Sequence, residues 1–235
     1  MAIKVSVVGA TGRMGKLALE LIDAANDLEL HSALDSRSDA WLSDGAEVIF
    51  DVTRLEVSQQ VVAKAIAAGQ KIVVGTSGWS AAKLAELKDL GQAAVVVIPN
   101  FSVGSMLATR FAAEAGKFFD SIEIVETHHA GKLDSPSGTA VRTAELISAN
   151  RTTPVTAPAA DQDARGQLVA GIPVHSLRLA GVSAKQDVHF GGVSELLTIS
   201  HETTSVSAYS AGILAAIRFA ADAQGLHVGL DAVFK

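Results

Sequence analysis

Four short apolar runs rich in Val and Ile recur through the first hundred residues, at 3–8, 46–52, 71–74 and 94–98, and a further strand-like run, 28–34, lies between the first two. Stretches with apolar residues at helical spacing lie between them. Strands that alternate with helices form a parallel sheet with the helices as crossovers. The pattern predicts an α/β chain with a Rossmann-like parallel-sheet domain. Ligands of such sheets collect beyond the carboxyl ends of the strands, so the polar segments that follow the strands are the places to look for a site.

The first of these is Gly9-Ala10-Thr11-Gly12-Arg13-Met14-Gly15, between the strand 3–8 and a helical stretch carrying Leu17, Leu19, Leu21 and Ile22. Strand, glycine turn and helix in that order are the context of a dinucleotide fingerprint. Glycines permit the tight turn and let the backbone approach a pyrophosphate at the helix N-terminus. The spacing is G-x-x-G-x-x-G, a variant of the usual G-x-G-x-x-G. Asp35 closes the second strand twenty residues after Gly15, where a carboxylate meets the adenosine ribose hydroxyls. An acid there favours NAD, whereas Arg13 and Arg37 can pair with the extra phosphate of NADP. The cofactor candidates here are Gly9, Ala10, Thr11, Gly12, Arg13, Met14 and Asp35.

The densest polar chemistry lies in Glu126-Thr127-His128-His129-Ala130-Gly131-Lys132-Leu133-Asp134-Ser135-Pro136-Ser137-Gly138-Thr139-Ala140. Residues 121–127 alternate like a strand, and 141–149 have helical spacing. Ser135 suits the N-cap and Pro136 the first helical position. Ser137, Gly138 and Thr139 then fall in the first turn, whose N–H groups lack intrahelical partners and can bind an anion. Gly138 is a poor helix former and fits a place where something approaches the backbone closely. His128, His129 and Lys132, read as delivered by the strand and its loop, add cations and acids. The segment reads as a carboxylate or phosphate site with proton donors at hand. Either His128 or Lys132 can be the donor; an imidazole titrates near neutral pH.

A long Ala-rich helix is expected at 103–119 and a loop at 151–166. Strands at 174–180, 186–190 and 195–201 join 121–127 in a second sheet of about four strands, a smaller α+β domain with a mixed open sheet. Residues 207–223 read as a helix and 226–234 as a closing strand or turn. Apolar residues make up 49% and aromatics 5%, so the core is built from Ala, Val, Leu and Ile. A net charge of −6 argues against nucleic acid as a partner. The chain has no cysteine, which excludes disulfides and thiolate chemistry. No His/Asp/Glu spacing resembles a metal site. His31, His175, His189, His201 and His227 read as packing or surface residues. The N-terminus runs straight into a strand without a signal peptide, and no apolar run reaches membrane-spanning length. The expectation is a soluble cytoplasmic protein with no membrane partner.

The 126–140 segment resembles the signature of the dihydrodipicolinate reductase family, close to E-x-H-H-x-x-K-x-D-A-P-S-G-T-A, with Ser135 in place of the usual Ala. Gly75-Thr76-Ser77-Gly78-Trp79 and Ile98-Pro99-Asn100-Phe101-Ser102 resemble the family's G-T-T-G-F and A-P-N-F-S segments. Arg165-Gly166 and Gly171-Ile172-Pro173-Val174-His175 through Arg178 match its R-G-x-x-x-x-G-I-P-V-H-x-x-R stretch. The resemblance spans nearly the whole chain. It implies reduction of 4-hydroxy-tetrahydrodipicolinate, a small cyclic dicarboxylate of lysine and diaminopimelate biosynthesis, with NADH or NADPH and no metal. It also implies a dinucleotide-binding domain of 1–101 and 209–235, a substrate-binding and oligomerisation domain of 102–208, hinges near Ser102 and Ala208, and a homotetramer.

In the reduction that the resemblance implies, His128 is the candidate acid, since an imidazole titrates near neutral pH, and Lys132, close in sequence, can assist protonation or hold charge. The resemblance assigns a substrate carboxylate to His129, Gly138 and Thr139, and the nicotinamide to Gly75, Thr76, Ser77, Ile98, Pro99, Asn100 and Phe101. Two departures stand out. The family's Asp-Phe-Thr-x-Pro is here Asp51-Val52-Thr53-Arg54-Leu55, and its later Asp-Arg is Ser205-Val206. They admit two rivals: a nucleotide-sensing homologue that has lost catalysis, and another small imine or amino-acid reductase.

Overall fold

The computed structural model describes residues 2–38, 45–87 and 89–234. In chain order the first elements are β1 (Ile3–Val8), α1 (Arg13–Ala24), β2 (Leu28–Leu34), β3 (Val48–Asp51), α2 (Leu55–Ala67), β4 (Lys71–Val74), α3 (Ala81–Ala85) and β5 (Ala94–Val97). Then come α4 (Val103–Ala115), β6 (Ser121–His129), α5 (Gly138–Ala149), β7 (Gln167–Val169), β8 (Ile172–Leu179), β9 (Ala184–Gly192) and β10 (Glu195–Thr203). The tail forms α6 (Ser210–Asp222) and β11 (Gly225–Val228). Two compact units result, Met1–Val103 with Val206–Lys235, and Gly104–Ser205.

The first unit is a six-stranded sheet in the order β11-β5-β4-β3-β1-β2, parallel throughout. Its central strands are apolar runs because they are covered on both faces: Val5, Val7, Val8, Ile49, Phe50, Ile72, Val73, Val95 and Val96 are all fully buried, whereas the edge strands β2 and β11 are largely exposed or half-buried. β1 lies between β2 and β3, so the strand order reverses at the β1/β3 ends, the switch point where ligands of open α/β sheets bind. Gly9 and Val52 meet there.

One helix is shorter than its spacing suggests. α3 is capped by Ser80, whose hydroxyl accepts the Lys83 N–H, but it ends at Ala85 instead of continuing to about 90. Beyond it Asp89 and Gly91 both take positive φ, 53° and 55°, which a right-handed helix cannot contain. Lys88, inside that expected helix, lies outside the described residues. Likewise α4 stops at Ala115, where Gly116 follows. The Arg151 guanidinium takes up the Gly116 and Phe119 carbonyls, at 2.6 Å each, and so satisfies acceptors that a continuing helix would have used.

The second unit is a five-stranded sheet in the order β10-β9-β6-β8-β7. β6 and β8 are parallel and the other pairs antiparallel, which gives the mixed open sheet. The extra strand relative to expectation, β7, has only three residues, too few to show an alternation. Ile122, Ile124, Val174, Val188 and Phe190 point to one face and pack with Ala112 of α4 and Ala140, Ala144 and Ile147 of α5. The opposite face carries Glu123, His175 and His189 and exposes Leu177, Leu179 and Leu196.

Candidate active site

The strand β6 continues through His128 and His129, which puts both histidines on a rigid strand end and corrects the reading that set His128 in the connecting loop. The helix cap also differs from expectation. Ser137, not Ser135, is the N-cap of α5, and its hydroxyl accepts the Ala140 N–H. The Ser137 N–H is itself taken by Glu126 Oε1 at 3.1 Å, which holds this residue, two positions later than the proline rule suggested, at the helix entrance. Pro136 follows a cis peptide bond and stands outside the helix. Gly138 and Thr139 therefore occupy the first two helical positions, where an N–H has no intrahelical acceptor. A Cβ on Gly138 would meet nothing within 4 Å, so the approach to this turn is open.

Glu126 is the centre of the arrangement. Its carboxylate is fully buried and accepts hydrogen bonds on both oxygens. Oε1 takes the Ser137 N–H and Arg178 Nη2, the latter at 3.0 Å. Oε2 takes Arg178 Nη1 at 3.0 Å and meets His128 Nδ1 at 2.5 Å. Strand geometry explains the meeting: His128 lies opposite Arg178 in the β6–β8 ladder, and Glu126, two residues earlier, shares their face. Burial opposes the charged form, but hydrogen bonds from His128 and Arg178 outweigh it and hold the carboxyl at about 2. A carboxylate only accepts, so the Nδ1 of His128 carries hydrogen and Nε2 is the ring atom left for a ligand. Neither Glu126 nor Arg178 had been singled out from the sequence. The usable signal was the two-residue spacing of Glu126 and His128 on one strand.

Lys132 is not free. Its Nζ lies 2.7 Å from each carboxylate oxygen of Asp134, whose backbone carbonyl accepts from Arg178 at 2.6 Å. For Asp134, partial burial works against charge, and Lys132 outweighs it, keeping the carboxyl below its usual range. His129 is exposed and, by strand alternation, projects to the opposite side of β6 from His128. The fold thus gathers His128, Glu126, Arg178 and the α5 entrance, attaches Lys132 through Asp134, and sets His129 apart.

In the first unit, Gly9 has φ 91°, and a Cβ on it would lie 2.8 Å from the Val52 carbonyl oxygen. A Cβ on Gly15 would lie 2.2 Å from the Gly9 carbonyl oxygen. The turn therefore needs glycine at both places. The N–H groups of Gly9 and Ala10 both donate to the Leu34 carbonyl, and Gly12 donates to Gly9. These amides are consumed within the turn. Arg13 and Met14 open α1, and the N-cap Gly12 has no side chain to cover them. A helix entrance of this kind, with a cradle that no Cβ could share, fits a diphosphate. Asp35 stands at the end of β2 and accepts from Arg37 Nη2 at 2.7 Å; that guanidinium holds Asp35 below the usual carboxylate range.

The remaining nicotinamide candidates divide by burial. Thr76 is buried and its hydroxyl donates to Asp51 at 3.2 Å. Asp51 is itself fully buried. Burial pushes its carboxyl up against the hydrogen bonds of Ser58, Thr53 and Thr76. Ile98 and Phe101 are also buried, and Phe101 packs on Phe50 with ring centroids 5.6 Å apart. These three can offer a ligand only backbone. Gly75 is needed because a Cβ would come within 2.6 Å of the Phe101 ring. Ser77 and Pro99 are exposed, and Asn100 accepts the Ser102 N–H at 2.9 Å. Among the described residues no group of three or more His, Cys, Asp or Glu could hold a metal ion, and no helix is long and apolar enough to cross a membrane.

Residues 3–101 match the pattern of dihydrodipicolinate reductase, N-terminus, and residues 104–234 match dihydrodipicolinate reductase, C-terminus. The chain belongs to the dihydrodipicolinate reductase family. The 4-hydroxy-tetrahydrodipicolinate reductase of Clavibacter sepedonicus is 57% identical over 239 residues, covering 98% of this chain and 86% of that one. The reductase of the same name from Streptomyces griseus is 39% identical over 241 residues, covering 97% and 96%. Among solved structures, the dipicolinate-bound dihydrodipicolinate reductase of Paenisporosarcina sp. TG-14 superposes with a TM-score of 0.81 at 29% identity, covering 98% of this chain and 99% of that one.

Two departures from the dihydrodipicolinate reductase pattern have a structural account. Val52, where the family usually has an aromatic residue, packs its Cγ1 3.0 Å from the Cβ position of Gly75 and so helps shape the same strand ends. Ser135 is exposed and outside the helix, so the hydroxyl it adds to the usual Ala does not alter the cap. Nothing in the structure explains the exchange at Ser205-Val206.

Proposed function

We propose that this chain is a 4-hydroxy-tetrahydrodipicolinate reductase, which uses NADH or NADPH to convert its cyclic dicarboxylate to tetrahydrodipicolinate in lysine and diaminopimelate biosynthesis. The observation that carries this reading is that both family patterns match, one on each half of the chain, over 3–101 and 104–234. One water leaves the hydroxylated ring, and one hydride and one proton enter. The nicotinamide nucleotide, when bound, supplies the hydride from C4.

The protein's own part is binding and proton handling. His128 is the proton donor, through Nε2, while Nδ1 stays with Glu126. The first turn of α5, at Gly138 and Thr139, takes one carboxylate at the positive end of the helix dipole. Lys132, released from Asp134, takes charge from the other and steadies the developing anion. The nucleotide is held at Arg13 and Met14, within the turn formed by Gly9, Ala10, Thr11 and Gly12, with Asp35 on the ribose. The Gly75–Ser77 and Ile98–Phe101 segments meet the nicotinamide, through backbone wherever their side chains are buried.

Residues 1–101 with 209–235 are the dinucleotide-binding domain and 102–208 the substrate-binding and oligomerisation domain. The compact units, which divide at 103/104 and 205/206, support this division. Leu177, Leu179 and Leu196, exposed on the outer face of the second sheet, support assembly through that face, with a cytoplasmic homotetramer as the expected form. The test is NADH oxidation with enzymatically generated 4-hydroxy-tetrahydrodipicolinate. Substrate-dependent oxidation is expected; NADH binding without turnover would instead indicate a nucleotide sensor.

A further inference from the structure

We infer that Glu126 is a positioning residue that ties the two halves of the substrate site together: clamped by Arg178, its carboxylate sets the tautomer and plane of the His128 ring and anchors the amide that opens the α5 turn. The inference builds on the assignment of His128 as proton donor. Four donors converge on Glu126 from three places: the end of β6, β8 and the α5 cap. Each oxygen receives one arm of the Arg178 fork and one site group, His128 on one side and Ser137 on the other. The carboxylate is thereby saturated, and because it is fully buried no water replaces a lost partner cheaply. Arg178 is held in turn by the Leu177 and Asp134 carbonyls, at 2.7 and 2.6 Å, so the fork is fixed before any ligand arrives.

The chemistry of the alternatives shows what this does. An amide in place of the carboxylate keeps its shape but exchanges one acceptor for a donor. If the amide oxygen stays on the Ser137 N–H, its NH2 faces Nδ1 of His128, and the ring must move its hydrogen to Nε2. If the amide turns over, the Ser137 N–H is stranded and the α5 entrance shifts. One substitution thus disturbs either proton delivery or anion binding. A merely structural carboxylate would lower stability without moving the ring hydrogen.

The test uses the full-length protein labelled with 15N-histidine, with His128→Gln identifying the His128 ring signals. In the unsubstituted protein the neutral ring should carry its hydrogen on Nδ1. Glu126→Gln should move it to Nε2 and lower kcat by about 10²-fold, the scale of a lost general acid, with NADH binding unchanged by direct titration. Arg178→Lys keeps the charge but not the fork and should give a partial shift; it carries the same test if Glu126→Gln does not fold. A folded Glu126→Gln protein with hydrogen still on Nδ1 and normal kcat overturns the inference. If His128→Gln keeps normal kcat while Glu126→Gln still moves the ring hydrogen, the donor assignment fails and the positioning role stands.

Discussion

Arg178 and His128 face each other across the β6–β8 ladder, yet neither bonds to the other; both turn back to Glu126. Two groups that can both be cationic are thus kept side by side by one anion. The arrangement is stable only while that anion keeps its charge.

Acid should therefore remove the stabilising contribution of this cluster. The Glu126 carboxyl is held at about 2 against an ordinary 4.5. A group whose folded value is depressed contributes fully above the unfolded value and loses that contribution as pH falls through the folded one. Melting temperature should fall as pH drops from about 4.5 toward about 2, and Glu126→Gln should flatten that part of the curve. Thermal denaturation of both proteins across the window checks it, and equal slopes would contradict it.

His128 and Lys132 should separate kinetically. His128→Gln removes the donor and should lower kcat by roughly 10²-fold with a smaller change in KM. Lys132→Ala removes charge that binds the ground state and should raise substrate KM, with a lesser loss of kcat. NADH titration should be unaffected by either. Near-normal kcat for His128→Gln together with no turnover for Lys132→Ala would make the lysine the acid.

Nucleotide choice should be weak. Asp35 repels a 2′-phosphate, but its partner Arg37, with 83% of its side chain exposed, can turn to one. The kcat/KM values for NADH and NADPH should lie within roughly tenfold, about 1.4 kcal/mol. Asp35→Ala frees Arg37 and should shift the ratio toward NADPH. A preference beyond about a hundredfold in the unsubstituted enzyme would mean that one of the two residues dominates.

A planar mimic should compete with substrate. Pyridine-2,6-dicarboxylate offers one carboxylate to the Gly138–Thr139 turn and another to Lys132, whereas the monocarboxylate satisfies only one. Inhibition constants for the two compounds decide this, and equal values would exclude a two-carboxylate site.

Much of the first sheet was legible, because central strands covered on both faces must be continuous apolar runs; β1 and β4 have the bounds their composition suggests, and so does the more exposed edge strand β2. The glycine turn was legible too, since Gly9 and Gly15 answer to sterics within a few residues. The α5 cap was not. Ser135-Pro136 obeys the local rule for a helix start, but Glu126, eleven residues away, holds Ser137 there instead. The partnership of Glu126 with Arg178 spans 52 residues and exists only once β6 and β8 pair. Local spacing brought out His128, Lys132 and the helix entrance, and missed Glu126, which touches His128 and that entrance, and Arg178, which reaches Glu126 and Asp134 across the fold.

The Lys132–Asp134 pair changes what recognition means at this site. An ammonium that already has a carboxylate 2.7 Å away is not waiting for one, so an arriving anion must displace Asp134 rather than fill a gap. A single carboxylate offers Lys132 a trade of like for like and gains little. A ligand whose other end is already seated at the helix entrance makes the exchange at high local concentration. If Lys132 takes the second carboxylate, as proposed above, its pairing with Asp134 favours dianions of the right span over monoanions.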